Sequence, residues 1–94
     1  MLKTLEDLIK IIRERKSSSD DSSYTAKLLK DKYLSVEKVK EEIGELIEAI
    51  ENNSNKVHEA ADVLYHLLVY LEVNGVRIED IMDELEKRKK KKES

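Results

Sequence analysis

Apolar residues recur along this chain at helical rather than strand spacing. Leu2, Leu5, Leu8, Ile9 and Ile12 mark one face of a first helix, with Arg13, Arg15 and Lys16 at its C-terminal end, where cations suit the helix dipole. Ser17 to Ser23 breaks the pattern: five serines and two aspartates cannot bury enough surface to order themselves, so a loop that moves freely without ligand is expected. Ser23 or Thr25 can cap a short second helix carrying Ala26, Leu28, Leu29 and Tyr33. Ser35 is a candidate cap for a third helix to about Glu51, with Val36, Val39, Ile43, Leu46, Ile47 and Ile50 as its apolar stripe. Asn52 to Asn55 ends it. A fourth helix runs from about Lys56 to Val73 and stops at Asn74-Gly75, a C-cap signal. The fifth carries Ile78, Ile81, Met82 and Leu85 and passes into a basic tail over residues 87–94.

The fourth helix is apolar on nearly every side between Ala60 and Leu71, and such a helix must be covered all round. One chain has too few elements to do this. The expected fold class is therefore all-α: a bundle of about five helices in one domain spanning residues 1–94, with a four-helix core completed by homodimerisation.

Composition narrows the chemistry. The 94 residues contain no Pro, two Gly and 41% charged residues, which suits helices and leaves no room for a second domain. Without Cys there is no disulfide framework, thiolate metal site or cysteine nucleophile. The longest apolar run falls well short of the roughly 20 residues of a membrane span. No signal-peptide pattern opens the chain, so no membrane partner and a cytoplasmic location are expected. A net charge of −3 gives no global attraction to nucleic acid, and the lysines of the tail read as helix-end cations. The lack of Cys, Gln and Trp beside 14 Lys and 14 Glu fits proteins from hot environments.

Two acidic pairs at helical spacing stand out, Glu42/Glu45 and Glu59/Asp62. Asp62 and His66 are the only strongly polar side chains between Ala60 and Leu71, and an ionised carboxylate in a poorly hydrated site costs several kcal/mol unless paired or metal-bound. At about 100° per residue, Glu42 borders the third helix's stripe and Glu45 lies about 60° further round, while Glu37, Glu41 and Glu48 point away. Glu59, Asp62 and His66 fall within about 60° of one another, on the side away from Ala61, Leu64 and Leu68. Antiparallel packing of the two helices sets one pair against the other. Oxygen-only ligands in this number suit Mg²⁺ or Mn²⁺ better than zinc. His66 reads as hydrogen-bonded to a neighbour such as Asp62, Tyr65 and Tyr70 as packing aromatics, and Thr25 with the serine run as either capping or substrate contact.

These blocks resemble the all-α nucleoside triphosphate pyrophosphohydrolase superfamily (MazG-like). More narrowly, Arg15-Lys16, Ser23-Tyr-Thr-Ala-Lys-Leu-Leu29, Lys38-Val-Lys-Glu-Glu-Ile-Gly-Glu45, Glu59-Ala-Ala-Asp-Val-Leu-Tyr-His66 and Leu85-Glu-Lys-Arg88 are similar to the phosphoribosyl-ATP pyrophosphohydrolase family, in order over about residues 5–88. The departures, Lys40, the Lys30-Asp-Lys32 segment and Arg77, touch turns and caps rather than the acids. The resemblance implies the second step of histidine biosynthesis, in which phosphoribosyl-ATP and water give phosphoribosyl-AMP and pyrophosphate. It further implies Mg²⁺ held by Glu42, Glu45, Glu59 and Asp62, a water oriented or deprotonated by Glu41 or Glu42, and a homodimer. Arg15, Lys16, Ser23, Thr25, Lys27 and Lys38 become candidate contacts to substrate phosphates. Two other readings use the same chain: a house-cleaning pyrophosphohydrolase for noncanonical nucleotides, which the Ser-Tyr-Thr block argues against, and a non-catalytic helical interaction module.

Overall fold

The computed structural model describes residues 2–18 and 22–93, so the middle of the serine-rich loop, residues 19–21, lies outside the described residues. Five helices follow in order: α1 (Lys3–Ser17), α2 (Tyr24–Lys30), α3 (Lys32–Asn52), α4 (Lys56–Val73) and α5 (Ile78–Glu93). The described residues contain no strand, and none of their helices is long and apolar enough to cross a membrane.

Side-chain caps set the boundaries around α2. Ser23 Oγ accepts from the Ala26 N–H at 3.0 Å, and Asp31 Oδ1 accepts from the Leu34 N–H at 3.0 Å. The second bond starts α3 at Lys32, three residues before Ser35, and Ser35 is buried within the helix. Tyr33 consequently belongs to α3 rather than α2. The α3–α4 hairpin turns through Asn53 and Asn55, both at φ 52°, a left-handed conformation that asparagine tolerates. α4 ends with the Val76 N–H donating to the Leu71 carbonyl at 2.9 Å and the Gly75 N–H to that of Glu72 at 3.2 Å. This bond pair is a Schellman motif, and Gly75 at φ 70° occupies its left-handed position.

The interior is small and sits where α1, α2 and α4 meet. Ile12, Leu28 and Val69 are fully enclosed, with Leu8, Leu29, Leu34, Tyr65, Leu68 and Val73 packed around them. α3 lies along α4 by the edge that carries Glu42 and Glu45. Its buried positions are Ser35, Glu42 and Ala49, seven residues apart, whereas Ile43, Ile47 and Ile50 are exposed. The isoleucine side of α3's apolar stripe is thus turned outward, Val36, Val39 and Leu46 are half-buried, and the acidic border is turned in. α4 exposes Val57, Leu64 and Leu67 in the same manner. α5 is tied down chiefly at its start, where Arg13 grips Glu79 in a bidentate pair at 2.6 and 2.8 Å. Beyond it, Met82 and Leu85 are exposed, and a cavity of about 480 Å³ opens between α1 and α5.

Candidate metal centre

The antiparallel hairpin brings the two acidic pairs together. Carboxylate oxygens of Glu42, Glu45 and Glu59 lie within 4.8 Å of one another, and so do ligand atoms of His58, Glu59 and Asp62. Glu59 belongs to both groups. His58 was not singled out in the sequence, although its spacing of four from Asp62 places both on one side of α4; its Nε2 stands 3.3 Å from the Asp62 carboxylate.

The desolvated acid is Glu42 rather than Asp62. Glu42 is 8% exposed, while the Asp62 side chain keeps 37% of its surface. Burial pushes the Glu42 carboxyl above the usual carboxylate range, and the charges of Glu45 and Asp62 push it further in the same direction. Glu59 is raised for the same reasons, desolvation first and Glu45 second. Glu42 Oε2 and Glu59 Oε2 are buried with no hydrogen-bond partner among the described residues. Enclosed acceptors without donors, in the all-oxygen group of Glu42, Glu45 and Glu59, fit a hard divalent cation. An open cleft of about 220 Å³ adjoins them at the hairpin turn, lined by Glu45, Glu48, Asn52, Asn55 and Glu59 among others.

Of the expected phosphate contacts, only Lys38 stands against the acids. Its ammonium bonds Glu41 at 3.2 Å and interacts electrostatically with Glu42. Glu41 itself is exposed. Lys16 is engaged elsewhere: its ammonium donates to the Glu72 carbonyl at 2.8 Å, ten residues along α4 from Asp62, or about 15 Å at helical rise. Ser23 caps α2, and Thr25 Oγ1 is hydrogen-bonded to the Tyr65 hydroxyl. Arg15 and Lys27 are exposed on α1 and α2.

An aromatic group backs the acids. Tyr65 and His66 meet edge-on with ring centres 4.9 Å apart, and Tyr24 stacks on Tyr65 at 6.4 Å. His66 Nδ1 lies 2.8 Å from the Asp62 backbone carbonyl, so His66 is hydrogen-bonded to Asp62 through its main chain and not its carboxylate. Tyr24 was not picked out from the sequence; its place between Ser23 and Thr25 was the available signal.

Residues 5–89 match the family described as phosphoribosyl-ATP pyrophosphohydrolase. The chain belongs to this phosphoribosyl-ATP pyrophosphohydrolase family. Relatives include a phosphoribosyl-ATP pyrophosphatase of Methylobacterium nodulans, 46% identical over 93 residues, which span 90% of this chain and 82% of the relative. That of Methanobrevibacter smithii is 33% identical over 90 residues, covering 90% of this chain and 93% of the relative. The histidine biosynthesis bifunctional protein HisIE of Pyrococcus furiosus is 39% identical over 92 residues, spanning 95% of this chain and 43% of that longer protein. No solved structure matches the chain significantly. The match to the phosphoribosyl-ATP pyrophosphohydrolase family takes in the whole of α2, α3 and α4, so the acidic cluster lies inside the part of the chain that places it there.

Proposed function

We propose that the chain hydrolyses phosphoribosyl-ATP to phosphoribosyl-AMP and pyrophosphate, as the names of its relatives describe for those proteins. The observation that carries this reading is the pair of enclosed, unpartnered oxygens, Glu42 Oε2 and Glu59 Oε2, in a family member. Glu42, Glu45, Glu59 and Asp62 would hold Mg²⁺, with Mn²⁺ as a substitute. Bound there, the ion would neutralise triphosphate charge and favour departure of pyrophosphate.

The chain's own groups then have separable tasks. A water attacks the α-phosphorus in line, its oxygen forming the new bond while the bridge to the β-phosphate breaks. Glu41 or Glu42 orients that water and accepts its proton. Lys38, next to both, is placed to meet phosphate oxygens. The outward apolar series of α3 and α4 supports a homodimer in which the two hairpins form one four-helix core. A cytoplasmic location goes with this reading, and no nucleic-acid partner is required.

The deciding experiment is pyrophosphate release from phosphoribosyl-ATP beside a panel of free nucleoside triphosphates. Release of pyrophosphate rather than orthophosphate is expected, preferring phosphoribosyl-ATP and needing Mg²⁺ or Mn²⁺. Full activity after exhaustive chelation would refute the metal role, and equal turnover of the free triphosphates would favour a house-cleaning enzyme.

A further inference from the structure

His66 is buried, and both of its ring nitrogens are engaged. The Asp62 carbonyl, 2.8 Å from Nδ1, can only accept. With one proton on the ring, Nδ1 therefore carries it. Nε2 is left as an acceptor, 2.9 Å from the Tyr24 hydroxyl. Tyr24 must donate to it. Burial raises the Tyr24 phenol, with the Lys38 charge opposing, so the hydroxyl keeps its proton at neutral pH and spends it on His66. Tyr24 is nevertheless 45% exposed. With its proton committed to His66, its oxygen has an acceptor, and no donor, to offer beside Lys38 and Glu42.

Such an oxygen is unsuited to a phosphate, which has only acceptors to present, and suited to a hydroxyl. Phosphoribosyl-ATP carries sugar hydroxyls as well as phosphates. We propose that Tyr24, oriented by His66 through the fixed Asp62 carbonyl, accepts a hydrogen bond from a sugar hydroxyl of the substrate. Resting on the functional reading above, this divides recognition between Lys38, which takes anionic oxygens, and Tyr24, which takes a sugar. His66 is a positioning residue in this scheme. It also explains why a polar ring is retained at an enclosed position of α4.

Two measurements test the proposal. In the substrate-free protein, ¹⁵N NMR of the histidines should show His66 protonated at Nδ1 and bare at Nε2, the less common neutral tautomer. Proton density at Nε2 instead would overturn the orientation. Kinetics with phosphoribosyl-ATP at saturating Mg²⁺ form the second arm. Tyr24→Phe keeps the ring stack and should raise KM about tenfold, with kcat within about twofold of the parent. His66→Leu should reproduce that rise, and His66→Gln, which restores an acceptor near the Nε2 position, should recover most of it. An unchanged KM in Tyr24→Phe, or a loss confined to kcat, would overturn the inference while leaving the activity of the parent intact. A parent inactive on phosphoribosyl-ATP would instead remove the functional reading, and the tautomer would still be measurable.

Discussion

Glu42 is the residue on which the site's energetics turn. A carboxylate enclosed against two other acids is disfavoured unless protonated or bound to a cation, and its position on α3 allows no retreat to solvent. Glu42→Gln removes the charge and keeps a donor for Glu45. Metal-free Glu42→Gln should therefore melt higher than the parent, by about 4–8 °C for each kcal/mol of repulsion relieved. Its turnover should fall by about a hundredfold or more, because groups that only orient metal ligands are already worth about 10–100-fold. Calorimetry with and without Mg²⁺, beside the pyrophosphate assay, reads both effects; an active variant would take Glu42 out of the site. The pH response follows from the same acids. Glu42 and Glu59 have raised values, so their protonated forms stabilise the metal-free fold below the ordinary carboxylate value near 4.5, and that contribution is lost as pH rises through the raised values. Glu79 acts oppositely: Arg13 holds it at about 2, so its contribution is present above about 4.5 and lost as pH falls toward 2. Melting temperature without metal should peak in mildly acidic solution, and Mg²⁺ should lift the neutral side selectively. A flat profile from pH 5 to 8 in chelator would contradict the desolvation of Glu42.

Element boundaries were legible wherever a side chain or glycine punctuates the helix. α4 runs over the expected residues because Asn74-Gly75 carries its terminating bonds, and α2 starts at the Ser23 cap. α3 starts earlier than expected because the Asp31 carboxylate caps it and closes the link from α2 before Ser35 is reached. The facing of α3 was legible in its acids, which spacing set against α4, but not in which apolar residues stay outside. Its isoleucines suggest an inner stripe only if one chain supplies all the covering, and packing on α4 instead selects the small Ala49 and Ser35 with Glu42 between them. For the same reason the enclosed acid was sought on the more apolar helix, at Asp62. The approach of the two acidic pairs was readable from spacing, since an antiparallel hairpin sets one against the other; Tyr24 was not, since nothing in its spacing announces a partner 42 residues away. Gly75 tests the punctuation directly. At φ 70° an added Cβ meets no neighbouring atom, so Gly75→Ala should cost only the backbone term, about 1 kcal/mol. Chemical denaturation would check this, and an unchanged midpoint would mean that the turn relaxes out of the left-handed region.

At the scale of the molecule, a single chain is poorly closed. Its radius of gyration is 15.1 Å, where about 12 Å is usual for this length. Its accessible surface is 7178 Å², about 1,500 Å² more than a compact monomer of 11.0 kDa exposes. Part of the excess lies on α5, and part on the hairpin, where Ile43, Ile47 and Ile50 of α3 and Val57, Leu64 and Leu67 of α4 face solvent. Stable interfaces bury about 800 Å² per partner, so the excess is enough for a substantial one. A two-fold pairing of hairpins would place each apolar series against a copy of itself or of its neighbour, and it would leave the acids on the buried side of each hairpin undisturbed. Light scattering should accordingly give about twice the 11.0 kDa chain mass at micromolar concentration. Ile47→Glu and Leu64→Glu, exposed in the single chain, should each be harmless to a monomer but should split a dimer and lower its melting temperature in a concentration-dependent manner. A parent that is active at the monomer mass, or variants that keep both mass and stability, would show that these series serve some other surface.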